Sequence, residues 1–387
     1  MSRFVADRVH RVPPSGIRKF FDIAATMTDV ISLGIGEPDF TSPAAIRQAG
    51  IQSLTAGQTG YTSNAGLFEL REAIAAYIER LYGVVYDPAT EILITVGVSE
   101  ANYLAMTALI DVGDEVIIPE PAFVSYAPEV VFADGYPVFV PTSATKGWLV
   151  TADDIESRIT PATKAILLGY PNNPTGAVIS PESMADIARL AEKYDLVVIS
   201  DEVYDRLIYD DATHVQFASF PNMRDRTVVM SGFSKSHAMT GWRLGYAVGP
   251  KEIIQAMSKV HQYTIMSAPT VSQHAALQGL LDGDEAVEKM RNEYNRRRHL
   301  LVQGLNYIGL ECVEPKGAFY AFPSIKSTGM DEQTFAEKLI QEEQVAVVPG
   351  SAFGPSGAGY VRMCYATAYD DIEEALTRID RFVKRYS

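Results

Sequence analysis

Five short apolar runs constrain the fold of this chain more than any other feature. Glu91-Ile-Leu-Ile-Thr-Val96, Glu115-Val-Ile-Ile118, Ala165-Ile-Leu-Leu168, Leu196-Val-Val-Ile-Ser200 and Thr227-Val-Val-Met230 are close to uninterrupted. A half-buried strand alternates apolar and polar residues. A run without alternation suits a strand buried on both faces, as in a parallel sheet. Helical stretches lie between several of the runs, among them Glu100 to Ile110 and Glu182 to Tyr194. Alternating β and α segments predict an α/β fold, a mainly parallel sheet covered by helices, with its ligand site beyond the strand carboxyl ends.

The last hundred residues change character. Glu285 to Leu305 reads as one long helix, followed by strand-like Gly317-Ala-Phe-Tyr-Ala-Phe322 and a helix near Asp331 to Glu342. Val345–Val348 and Tyr360–Tyr365 look like strands, and Ile372, Leu376, Ile379 and Val383 mark one face of a terminal amphipathic helix. These elements predict a second, smaller α+β domain. A length of 387 residues agrees with two domains. We divide the chain into a large domain of residues 48–288 and a discontinuous small domain of residues 1–47 and 289–387.

Composition then narrows the function. A net charge of −15 argues against a nucleic-acid surface, which needs a basic field. The one basic run, Arg296-Arg297-Arg298-His299, lies within a helical pattern and reads as a solvated or ion-paired helix face. Two cysteines, Cys312 and Cys364, are too few for a disulfide framework, and the six histidines show no metal-ligand spacing, so no metal is expected. The N-terminus lacks a signal-peptide core, and no run of about 18 apolar residues occurs. A cytoplasmic protein without a membrane span is expected.

The chemistry concentrates in Ser231-Gly-Phe-Ser-Lys-Ser-His-Ala-Met-Thr-Gly-Trp-Arg-Leu-Gly245. A buried Lys235 can form a Schiff base, and Arg243 offers a fixed-charge fork to phosphate oxygens. Asp201, ending a strand, can pair with a protonated pyridine nitrogen. Tyr204, three residues on, and Asn173, in the turn Tyr170-Pro-Asn-Asn-Pro-Thr-Gly176, can hold a phenolic oxygen. Gly97-Val98-Ser99 reads as a turn leading into a helix whose free N–H groups favour an anion, Ser234 and Ser231 offer hydroxyls, and Phe123 offers a ring to stack. Arg362, on an apolar strand, suits a carboxylate, and the Gly34-Ile-Gly36 backbone can approach the same group. Taken singly, each has a plainer reading: Asp201 as a helix cap, Tyr204 and Phe123 as core, Ser99 as an N-cap, Arg243 and Arg362 as ion-pair partners. Together they read as a site for pyridoxal 5′-phosphate (PLP).

These residues resemble, essentially end to end, the class I aminotransferases of PLP fold type I. The nearest likeness is to the branch holding aspartate and aromatic amino acid aminotransferases. The resemblance is carried by Ile31-Ser-Leu-Gly-Ile-Gly-Glu-Pro-Asp-Phe40, the lysine segment Gly232–Gly245 and Gly359-Tyr-Val-Arg362. It implies that Lys235 is the Schiff-base lysine and proton carrier, with Asp201 on the pyridine nitrogen and Tyr204 and Asn173 on the phenolic oxygen. It implies further that Arg243, Ser234, Val98 and Ser99 hold the phosphate, that Phe123 stacks on the ring, and that Arg362, Gly36 and Asn173 bind the substrate α-carboxylate. Tyr61 matches the tyrosine that reaches the phosphate from a partner subunit, which implies a homodimer with shared active sites. By analogy Pro13–Lys19 lies over the site.

Two positions depart from the pattern. Gly232 stands where many relatives have a serine, and Ser99 where some aspartate-specific relatives have a lysine. The second departure weighs against a strict aspartate assignment. The resemblance implies ping-pong transfer between an L-amino acid, aspartate or aromatic with glutamate, and a 2-oxo acid such as 2-oxoglutarate. A β-lyase acting on cysteine conjugates is the alternative on the same fold.

Overall fold

The computed structural model describes residues 4–14, 16, 27 and 29–386. Its strands are β1 (Ile31–Ser32), β2 (Ile92–Thr95), β3 (Glu115–Glu120), β4 (Tyr136–Pro141), β5 (Thr163–Gly169), β6 (Val197–Asp201), β7 (Thr227–Gly232), β8 (Gly245–Val248), β9 (Tyr320–Ala321), β10 (Val345–Ala346), β11 (Val348–Pro349) and β12 (Val361–Cys364). Seven of them form the main sheet, in the order β2-β8-β7-β6-β5-β3-β4. Strand β8 runs antiparallel to β2 and β7, and every other pairing is parallel. The fold is the α/β arrangement expected.

Each of the five apolar runs became a strand of this sheet, and their central residues are buried. Two strands of this sheet escaped the sequence reading. Strand β4 is the sheet edge, half-exposed and carrying Pro137 and Pro141, which an edge tolerates because it needs fewer ladder donors. Strand β8 is four residues hidden in the tail of the lysine segment. The helix expected from Glu100 begins at Gly97, so Val98 and Ser99 lie in its first turn rather than in a loop before it. Gly97 has φ +74°, in the left-handed region that glycine enters without strain.

Sheet order explains why the candidate residues converge. Strands β2, β3, β5, β6 and β7 end at one edge, and antiparallel β8 begins there. Register places Gly169 beside Asp201, and Gly232 and Thr95 on either side of Gly245. Close approach at this edge demands small residues. A Cβ at Gly245 would stand 2.8 Å from the Val98 nitrogen, and one at Gly232 would stand 2.9 Å from the Gly245 Cα. The glycine in place of the family serine at 232 therefore suits its packing here.

A second core joins the long helix Asp284–Ile308 to the terminal helix Tyr369–Tyr386. Ile372, Leu376, Ile379 and Val383 are all at most 8% exposed, as their spacing predicted. Around them, β9, β11 and β12 form a three-stranded antiparallel sheet and β1 pairs parallel with β10. The basic run is ion-paired rather than solvated: Arg297 meets Asp39 at 2.8 Å, and fully buried Arg298 meets Asp210 at 2.6 Å and Glu314 at 3.1 Å. Ser15 and residues 17–19 of the Pro13–Lys19 stretch lie outside the described residues. Among the described residues no helix is long and apolar enough to cross a membrane.

Candidate active site

A cavity of about 540 Å³ opens at the strand carboxyl ends. Its lining includes Gly36, Val98, Ser99, Phe123, Asn173, Asp201, Tyr204, Ser234, Lys235, Arg243 and Arg362. Two of the residues singled out from sequence do not line it: Tyr61 stands apart, 81% exposed on the surface. Ser231 also turns away, its hydroxyl directed at the Glu202 carbonyl oxygen 3.4 Å distant.

Lys235 follows β7 by three residues. Its Nζ donates to the Gly36 carbonyl oxygen at 2.7 Å and faces the Phe319 ring at 5.7 Å. No carboxylate lies in ion-pair range of Nζ among the described residues. Burial without a counter-charge pulls its pKa down to about 8. An amine that sheds its proton this readily is a competent nucleophile and base.

Asp201, the last residue of β6, is buried at the cavity floor. It accepts from the Tyr126 hydroxyl at 2.8 Å and from the Val203 N–H at 3.2 Å. Burial pushes its carboxyl up to about 6, and the Tyr126 bond restrains the rise. It remains mostly ionised at neutral pH, with no cation paired to it among the described residues. Tyr204 lies in a run of turns rather than a helix, and its hydroxyl sits 2.8 Å from that of Tyr320.

Two cationic positions flank the floor. Arg243 donates to the Thr240 carbonyl at 3.0 Å and lies against Gly97, where a Cβ would come within 2.8 Å of its Nη2. It has no ion-pair partner among the described residues, and it abuts the first turn of the Gly97–Leu109 helix, whose N–H groups lack intrahelical acceptors. That juxtaposition has the chemistry to hold an anion. Arg362, on β12, is 2% exposed. It donates to the Gly34 carbonyl at 2.6 Å and to Asn173 Oδ1 at 2.9 Å, and its Nε has no partner. The salt bridge considered as its alternative role is absent among the described residues.

The cavity also holds residues that sequence reasoning passed over: Tyr126, Tyr320, Asn102, Glu129 and Glu37. Tyr126 and Glu129 lie one turn apart on a short helix, three and six residues after Phe123, a spacing that could have revealed them. Glu129 accepts from the Asn102 amide, and burial together with Asp201 raises its carboxyl to about 8. Tyr320 carried no local signal.

Comparison with known proteins identifies the family. Residues 28–379 match the family model of aminotransferase class I and II. The chain is 53% identical over 385 residues to a putative aminotransferase, YugH, of Bacillus subtilis, covering 100% of both chains. It is 48% identical to an aspartate aminotransferase of Pyrococcus abyssi over 98% of both chains. An aromatic aminotransferase structure from Pyrococcus horikoshii superposes with a TM-score of 0.91 at 47% identity, over 95% of this chain and 99% of that one. The chain belongs to the class I and II aminotransferases, and its fold is PLP fold type I.

Proposed function

We propose that the cavity takes pyridoxal 5′-phosphate and that the chain moves an amino group between an L-amino acid and a 2-oxo acid by a ping-pong mechanism. Glutamate with 2-oxoglutarate would be one pair and aspartate or an aromatic amino acid the other. The observation that carries this reading is Arg362. It is a guanidinium 2% exposed with an orphaned Nε and no carboxylate partner among the described residues, lining the same cavity as Lys235. A buried cation of this kind is costly unless a ligand anion completes it.

The residues present fit the cofactor. Arg243, Ser234 and the Val98–Ser99 helix turn would hold its phosphate, and Asp201 would keep a proton on its pyridine nitrogen. Tyr204 and the Asn173 amide would hold the phenolic oxygen, and Phe123 would cover the ring. When bound, the cofactor supplies an electron sink for the substrate α-carbon. Lys235 would hold the cofactor covalently and, once its amine is free, would take and return a proton at the substrate α-carbon. Arg362 would clamp the α-carboxylate with the Gly36 backbone and Asn173 beside it, which would orient the substrate in the cavity that Lys235 also lines.

Three further points belong to this proposal. Exposed Tyr61 lies near an apolar surface formed by Tyr263, Ile265 and Met266, the segments tied by Asn64 to the Met266 carbonyl and Thr270 to the Gly60 carbonyl, both at 2.7 Å. Such a patch suits a second copy, so we propose a homodimer in which Tyr61 reaches the other copy's phosphate. The division at residues 48 and 288 is proposed as the boundary between large and small domains. The cytoplasm is the proposed compartment.

Lys235→Ala tests the mechanism. The variant is expected to keep PLP through its phosphate contacts while turnover falls to background; substantial turnover would sink the assignment.

A further inference from the structure

Tyr320 touches three parts of the site at once. It is 1% exposed on β9, opposite Cys364 and diagonal to Arg362 on β12. Its hydroxyl lies 2.8 Å from the Tyr204 hydroxyl, and the Arg362 guanidinium carbon lies 4.5 Å from its ring centroid. Its hydroxyl also packs on Gly36 so tightly that a Cβ there would collide with it. Gly36 in turn supplies the carbonyl that accepts from Lys235.

The proton count gives this cluster a direction. Burial holds both tyrosines above their ordinary range, so each hydroxyl keeps its single proton at neutral pH. If Tyr204 donates to the cofactor's phenolic oxygen, its own oxygen is left to accept. The Tyr320 proton is the one placed to fill it. The order is then Tyr320 to Tyr204 to phenolic oxygen, and a donor that is itself hydrogen-bonded donates more strongly.

Resting on the cofactor reading above, we propose that Tyr320 is a positioning residue with two separable actions. Its hydroxyl commits the Tyr204 proton to the cofactor's phenolic oxygen, and its ring holds Arg362 at the angle that meets the substrate carboxylate. Neither action requires Tyr320 to touch the reacting atoms. The first stabilises negative charge on the phenolic oxygen and so lowers the pH at which the Lys235 nitrogen, joined to the cofactor, loses its proton. The second acts on carboxylate affinity.

The experiment is a visible-absorption pH titration of the holoenzyme, with maleate binding measured on the same samples. Tyr320→Phe is expected to raise the titration midpoint by about half a unit, on cooperative strengthening of roughly 10–30% of a charged hydrogen bond. The same variant should change maleate affinity by less than about threefold, since its ring remains. Tyr320→Leu is expected to weaken maleate binding by about tenfold, the size of a desolvated cation–π contact. In a Tyr204→Phe background, Tyr320→Phe should move the midpoint no further. An equal shift in both backgrounds, no shift in either, or wild-type maleate affinity in the leucine variant overturns the inference while the cofactor reading stands. A wild-type chain that takes up no PLP overturns both.

Discussion

Two buried arginines in this protein should respond to the same substitution in opposite ways. Arg298 is fully buried and paired, with Asp210 at 2.6 Å and Glu314 at 3.1 Å, and it donates to the Pro315 carbonyl at 2.8 Å. Arg298→Met takes the guanidinium from two carboxylates and a carbonyl, leaving Lys316 3.6 Å from Asp210 and 3.9 Å from Glu314. Breaking a fully buried pair costs about 3–5 kcal/mol, and the 32% and 45% exposure of the partner side chains lets water recover part of that, leaving about 2–3 kcal/mol. Arg362 is equally deep but meets only neutral acceptors. Arg362→Met forfeits two charged hydrogen bonds, about 1.5–3 kcal/mol each, and removes a desolvated charge that costs several kcal/mol together with an orphaned Nε worth about 1–3 kcal/mol. The sum lies within about 1 kcal/mol of zero or on the stabilising side. Catalysis should invert the ranking. Losing the carboxylate fork costs about 3–5 kcal/mol, a fall of roughly a hundredfold to a few thousandfold in kcat/KM for L-glutamate, whereas Arg298→Met should stay near wild type per folded molecule. The assays are urea midpoints of the two apoproteins and steady-state kinetics. If Arg362→Met unfolds as easily as Arg298→Met and keeps its kcat/KM, Arg362 is structural and the reasoning fails.

Two shorter predictions rest on other parts of the site. Glu129 titrates near 8 in the folded chain against 4.5 for an unperturbed glutamate, so the native protein binds more protons between those values and loses stability as pH rises through them. Glu129→Gln removes that slope: relative to wild type, the variant apoprotein should gain about 1–3 kcal/mol on going from pH 5 to pH 8 by urea unfolding, and an unchanged difference would refute the raised carboxyl. Tyr61→Phe should weaken PLP binding by about tenfold or more, the loss of one hydrogen bond to a charged group, and only under conditions where sedimentation shows dimers. An equal loss in monomers, or none at all, would remove Tyr61 from the site.

Much of this site was legible because an α/β sheet sends its loops to one edge. Lys235, Asp201, Asn173 and Val98 each follow or end an apolar run, so recognising the strands nearly places the residues. The small-domain helices were legible from period alone, since Ile372, Leu376, Ile379 and Val383 need no partner to declare a face. What stayed hidden depends on register between distant segments. Tyr320 reaches Tyr204 across 116 residues, and Tyr126 reaches Asp201 across 75. Edge strand β4 was missed for a different reason: Tyr136-Pro-Val-Phe-Val-Pro141 is apolar throughout, but a proline at its second and last positions argues against a strand except at a sheet edge. Ser231 misled because alternation along β7 sends its hydroxyl away from the cavity that Ser234 faces.

The most direct test of amino-group transfer is the visible spectrum of the purified holoprotein before and after L-glutamate is added without any oxo-acid acceptor. Lys235 and Arg362, which line one cavity, the latter with an unpartnered Nε, lead to one expected result. The band of the lysine-bound cofactor should give way stoichiometrically to that of pyridoxamine phosphate, with one 2-oxoglutarate released per site. A lysine-bound band that stays unchanged with glutamate, and then with aspartate and tyrosine, would contradict it.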